Sequence, residues 1–230
     1  MNCSAIVTGG TGGLGAAVVK RLLEDGWRVV VPWIIESELE RVERREGLEL
    51  VQADLFKAAS VESVVASAAG NADAPLRGVV NLVGGFAVGG RVHETPIEEF
   101  ERQFRLNLRA TYLAVSTALP HLVASGGGSI VCVGTRAALQ PFPGAAGYVS
   151  SKAAVIAFAQ AVAVEYKNDG VRCNAILPSV IDTPANRTSM PKADFDRWVK
   201  PAEIAGVIAY LLSRDSIPTS GAAIPVYGQA

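Results

Sequence analysis

Cysteine, histidine and methionine are scarce in these 230 residues: three, two and two respectively. Cys3, Cys132 and Cys173 are odd in number and far apart, so no disulfide framework is expected; they read as small buried hydrophobes in a reducing compartment. His93 and His121 have no ligand-like spacing to any cysteine, so no metal site is expected. Charge of one sign is also missing. The formal net charge is -1 with 19% charged residues, and no face concentrates Lys and Arg, which argues against nucleic acid as a partner. The N-terminal apolar run has no basic leader and ends in glycines after a few residues, so neither a signal peptide nor a membrane span is expected there, and the cytoplasm is the default location. The sign-alternating cluster Glu36 to Glu46 reads as a solvated helix face.

Hydrophobic residues make up 50% of the chain, enough for a sizeable core. Apolar runs at Cys3 to Thr8, Trp27 to Trp33, Leu48 to Ala53, Gly78 to Val83, Ser129 to Gly134, Val171 to Leu177 and Ala222 to Val226 read as strands. Several are apolar on successive residues, as in parallel strands covered on both faces. Helical patterns alternate with them at Gly13 to Asp25, Glu36 to Arg45, Ser60 to Ala69, Ile97 to Ala124, Gly147 to Asn168 and Pro201 to Ser213. This alternation predicts one α/β domain over residues 1–230: a doubly wound, Rossmann-type parallel sheet of seven strands in the order 3-2-1-4-5-6-7, with helices on both faces. Pro141 to Gly147 and Pro178 to Pro191 are read as irregular stretches after strands, where such sheets hold ligands.

Thr8-Gly9-Gly10-Thr11-Gly12-Gly13-Leu14-Gly15 ends the first strand and opens the first helix. Glycine lets the backbone approach a pyrophosphate, and the helix N-terminus offers free N–H groups to it. The loop therefore predicts a dinucleotide site built on Gly9, Thr11, Gly13, Leu14 and Gly15. An acidic residue at the end of the second strand would accept from the 2′-hydroxyl of NAD, but Trp33 stands there. No Arg or Lys in the glycine loop or directly after Trp33 awaits a 2′-phosphate, so NAD and NADP both stay open. Trp33 either covers the adenine or simply packs.

Tyr148 and Lys152 lie four apart at the start of a helical pattern, which puts phenol and ammonium on one face. A neighbouring cation favours the phenolate, and such a phenol can serve as general acid or base in carbonyl–alcohol interconversion.

The TGxxxGxG loop and the YxxxK pair together resemble the short-chain dehydrogenase/reductase family, and the resemblance extends along essentially the whole chain. It implies an NAD(P)(H)-dependent oxidoreductase acting on a small carbonyl or alcohol. Thr135, thirteen positions before Tyr148, stands where most members carry the catalytic serine, and keeps the hydroxyl. Asn107 matches the helix asparagine that kinks its helix and holds a relay water. Asp54 and Leu55 match the segment that meets the adenine, although Asp54 also suits a helix cap. Asn81 and Gly84 follow the fourth strand, where the usual second asparagine is missing. Pro178, with serine in place of glycine after it, leads into Val180, Ile181 and Thr183 on the nicotinamide side.

A short lid at about 182–200, with Phe195 and Trp198, together with Phe86, resembles dihydropteridine reductases locally. That allows a flat cyclic substrate between aromatics; Phe86, Phe142, Phe195 and Trp198 otherwise pack a lid over any small ketone. The family resemblance also implies a homodimer or homotetramer through the two longest helices. A dinucleotide-binding sensor or scaffold without turnover is the alternative of another class.

Overall fold

The structure, a computed structural model, describes residues 3–229. Seven strands form one sheet in the order β3-β2-β1-β4-β5-β6-β7: β1 Ser4–Thr8, β2 Arg28–Trp33, β3 Leu48–Gln52, β4 Leu76–Asn81, β5 Gly128–Val133, β6 Val171–Pro178 and β7 Ala223–Val226. Every neighbouring pair is parallel, so the expected topology is the observed one. Cys3 is half-buried and lies just outside the first strand rather than opening it.

The runs of consecutive apolar residues split between two cores, because alternate side chains on a strand point to opposite faces. Ile6, Val30, Val79 and Ile130 face α2 (Ala58–Ala69), α4 (Ala110–Ala124) and α5 (Ala146–Glu165). Ala5, Val7, Val29, Val31 and Val131 face α1 (Gly13–Glu24) and α7 (Pro201–Leu212). Helix α1 shows the logic locally. It buries Gly15, Val18, Val19 and Leu22 at helical spacing, and pairs Arg21 with Asp25 on its wet side.

Three elements depart from the sequence expectation. Glu36 to Arg45 is not a helix of that length but a 3₁₀ turn over Glu36–Arg41. Leu39 and Val42 give it too narrow an apolar stripe to hold longer helix against the sheet. The run Ile97 to Ala124 is α3 (Ile97–Phe104), a π turn at Arg105–Arg109 and α4. The stretch 178–191 is not wholly irregular, since α6 (Pro184–Ser189) forms inside it, with Pro at its start and the Thr183 hydroxyl accepting from Asn186 N–H at 3.3 Å.

Candidate active site

The C-terminal ends of β1, β4, β5 and β6 place the site. Gly9 takes a left-handed φ of +68°, which bends the chain away from β1. A Cβ on Gly15 would overlap the Gly9 carbonyl oxygen, and one on Gly10 would lie 2.7 Å from Val31 Cγ1. The loop thus has room only for glycine at these points, and α1 begins at Gly13 with no side-chain cap. Its first N–H groups are left for a ligand. The chemistry of this cradle fits a pyrophosphate.

Thr183, at the mouth of the lid segment, packs its methyl over Gly13, within 3.1 Å of where a Cβ would be. Ile181 bridges to Val199 and Asp182 N–H donates to Val199 O at 2.9 Å. These contacts lay the residues after Pro178 along the same ends of the sheet as the glycine loop. Thr11 is buried, and its hydroxyl donates to Glu38 Oε2 at 2.8 Å. Glu38 therefore does not belong to a merely solvated face, as its charge pattern suggested. Sequence reading missed it because the partner lies 27 residues away. Trp33 is the half-buried last residue of β2.

Asn81 is fully engaged inside the protein. It accepts from the Thr8 hydroxyl at 2.8 Å and donates to Thr111 Oγ1 at 2.6 Å, which ties β1, β4 and α4 together. The Thr111 hydroxyl in turn donates to the Asn107 carbonyl at 2.6 Å. Asp54 accepts from Phe56 N–H at 3.0 Å, closing a turn after β3; it is not the cap of α2, which follows Lys57. Leu55 is buried in the core.

Helix α5 carries Tyr148 in its first turn and Lys152 one turn on. Lys152 is buried, and its ammonium donates to Val133 O at 2.8 Å. Burial disfavours its charge and lowers its pKa from 10.5 to about 8. The π turn presents Asn107 to this pocket: Gly85 N–H donates to Asn107 Oδ1 at 2.9 Å, while Asn107 Nδ2 donates to Gly85 O at 3.2 Å and to Ser151 Oγ at 3.0 Å. Ser151, whose hydroxyl also donates to Tyr148 O at 2.8 Å, is a second member that sequence reading passed over; its place on the turn between Tyr148 and Lys152 is the signal. A Cβ on Gly84 would lie 2.6 Å from Asn107 Oδ1 and 2.9 Å from Lys152 Nζ, so glycine there is what lets the loop after β4 close over both.

Thr135 is buried at the end of β5, where its hydroxyl accepts from Ala137 N–H at 3.3 Å. Burial holds the Tyr148 phenol above its ordinary pKa, with the nearby Thr135 hydroxyl lowering it in part. The Lys152 ammonium is turned to the carbonyl at the end of β5. Phe86 meets the Tyr148 ring edge-on at 5.0 Å, and Phe142 lies 6.3 Å from Phe86. Phe195 and Trp198 form a separate pair at 4.8 Å, with Trp198 only 7% exposed and Arg187 stacked on Phe195.

The family described as short chain dehydrogenase matches residues 4–194. The chain belongs to it. It is 30% identical to the 2-(R)-hydroxypropyl-CoM dehydrogenase of Xanthobacter autotrophicus, over 99% of this chain and 98% of that one. It is 32% identical to a 4-formylbenzenesulfonate dehydrogenase of Comamonas testosteroni, over 97% and 96%. A 3-ketoacyl-(acyl-carrier-protein) reductase from Brucella melitensis, solved with NADH, superposes with a TM-score of 0.86 at 28% identity, over 98% and 97%. The protein is an oxidoreductase that uses a nicotinamide dinucleotide.

Proposed function

We propose that Tyr148 is the general acid and base of this oxidoreductase, in a hydride exchange between nicotinamide and a small carbonyl or alcohol. The observation that carries the reading is the phenol itself: half-buried at the glycine loop's end of the sheet, near the Thr135 hydroxyl, and on the helix that buries Lys152 one turn later. When bound, the dinucleotide supplies or accepts the hydride. Gly9, Thr11, Gly13, Leu14 and Gly15 would hold its pyrophosphate. Asp54, Leu55 and Trp33 would border its adenine, and Asn81, Gly84, Pro178, Val180, Ile181 and Thr183 its nicotinamide half. Thr135 orients the substrate oxygen and steadies the phenolate. Lys152 holds its proton weakly enough, at about 8, to pass it on near neutral pH, and Asn107 fixes the loop beneath.

Tyr148→Phe is expected to lower kcat by about 10²–10⁴ while leaving dinucleotide affinity nearly unchanged. Retention of more than a tenth of the wild-type kcat overturns the assignment. Relatives named for a hydroxypropyl and a formyl compound support an alcohol or aldehyde as substrate. A flat cyclic substrate is the second reading, favoured by Phe86 and Phe142 beside the phenol. Residues 182–200 act as its lid, with Phe195 on the substrate side and Trp198 as the packed base beneath it.

The chain works as a homodimer or homotetramer in this proposal. Phe104, Leu108, Tyr112, Ala154 and Phe158, with Arg105 and Arg109, line an open groove of about 450 Å³ between the two longest helical runs. Helix α5 is long and apolar enough to cross a membrane by length and composition; here it covers the sheet and carries the site. Free Cys3, Cys132 and Cys173 suit a reducing cytoplasm.

A further inference from the structure

Tyr148 and Lys152 lie beside β5, and the glycine loop lies at the end of β1. A dinucleotide with its pyrophosphate on that loop and its nicotinamide at the phenol must send its adenosine the other way, over β2 and β3. The first group it meets there is the turn after β2. Trp33, at the strand end, brings no charge. Glu38 does, and its side chain reaches back to the loop: Oε2 accepts from the Thr11 hydroxyl at 2.8 Å and Oε1 accepts from Arg41 at 3.1 Å. The Glu38 side chain keeps 28% exposure, so it is reachable from solvent, and each carboxylate oxygen retains a further lone pair for a donor.

We propose that Glu38, held on the glycine loop by Thr11, sets the dinucleotide preference and makes this enzyme select NAD(H) over NADP(H). The inference rests on the orientation of the dinucleotide given under Proposed function. A carboxylate at this point accepts from the adenosine 2′-hydroxyl, the role an acidic residue at the strand end plays in such folds. A 2′-phosphate would bring like charge against it. Arg41 is the one cation on the same turn, and Glu38 already engages it. Glu38 thus repels the extra phosphate and also occupies the guanidinium that would otherwise receive it.

Dissociation constants for NADH and NADPH, read from nucleotide fluorescence on binding, test this without any substrate. The wild-type protein is expected to bind NADH at least about tenfold more tightly than NADPH, since a like-charge contact costs more than the free energy of a tenfold ratio. Glu38→Gln should collapse that ratio by about tenfold, chiefly by strengthening NADPH. Adding Arg41→Gln to it should remove the gain. Melting temperatures of the variants within a few degrees of wild type would show that the turn is intact. Wild-type protein that binds NADPH as tightly as NADH overturns the proposal, as does a Glu38→Gln ratio equal to wild type. Binding of neither dinucleotide overturns it together with the assigned glycine-loop site, an outcome distinct from a mere change of preference.

Discussion

Asn107 and Lys152 lie in the interior, held by hydrogen bonds to Gly85, Ser151 and Val133. The segment from Asp182 to Lys200 instead joins a buried base, Trp198 and Val199, to an exposed outer part held by the Asp182–Arg187 pair and the stacking of Arg187 on Phe195. The floor of the site and the lid above it therefore answer differently to change. An interior polar group that loses its partner keeps its full desolvation cost. A surface pair returns its members to water at little cost. The floor suits chemistry that needs fixed geometry, and the lid suits a surface that varies with the substrate.

The largest expected effect is on the floor. Asn107→Ala takes a partner from the buried Ser151 hydroxyl and the half-buried Gly85 N–H and carbonyl, and should destabilise the protein by about 1–3 kcal/mol in denaturant titration. A loss under about 0.5 kcal/mol, the level of a neutral surface change, would mean that the loop after β4 relaxes freely and the contrast is false.

Lys152 sharpens the comparison through pH. Its folded pKa, about 8, lies below the ordinary 10.5, so between those values the unfolded chain binds more protons than the folded one. Wild-type stability should rise as pH climbs from about 8 toward 10.5, and the penalty is complete below about 8. The shift corresponds to about 3 kcal/mol, offset in part by the hydrogen bond to Val133 O. Lys152→Met is thus expected to stabilise the free protein at pH 7 by on the order of 1–2 kcal/mol, with the gap closing toward pH 10. A gap that does not change with pH would show that the ammonium is not desolvated.

The smallest effect belongs to the lid. Arg187→Ala removes a bidentate pair with Asp182, whose carboxyl Arg187 holds below its ordinary pKa. Arg187 is 51% exposed, and the change should leave the melting temperature nearly unchanged. A cost equal to that of Asn107→Ala would place the lid with the floor.

Strand order was readable because strands alternate with helices and a glycine loop follows the first of them, and the parallel strands themselves show as consecutive apolar residues, as Ala5 to Val7 and Val29 to Val31 do. The glycine loop was readable because only glycine fits where Gly9 turns left-handed and where Gly15 meets the Gly9 carbonyl. Tyr148 and Lys152 share a face by helical periodicity alone. All of these are local properties, carried by neighbours along the chain.

What tertiary structure decided is what joins distant segments or depends on burial. Glu36 to Arg45 carries good helix formers, yet only a 3₁₀ turn forms, because the sheet edge offers its few apolar residues too little to cover. Glu38 finds Thr11 across a gap that no periodicity spans. Spacing places an ammonium near a phenol, but it does not give the ammonium's hydrogen-bond partner or its solvation: folding turns Lys152 to Val133 O and buries it. Solvation of a charge depends on everything packed around it, and that set of neighbours exists only once the chain has folded.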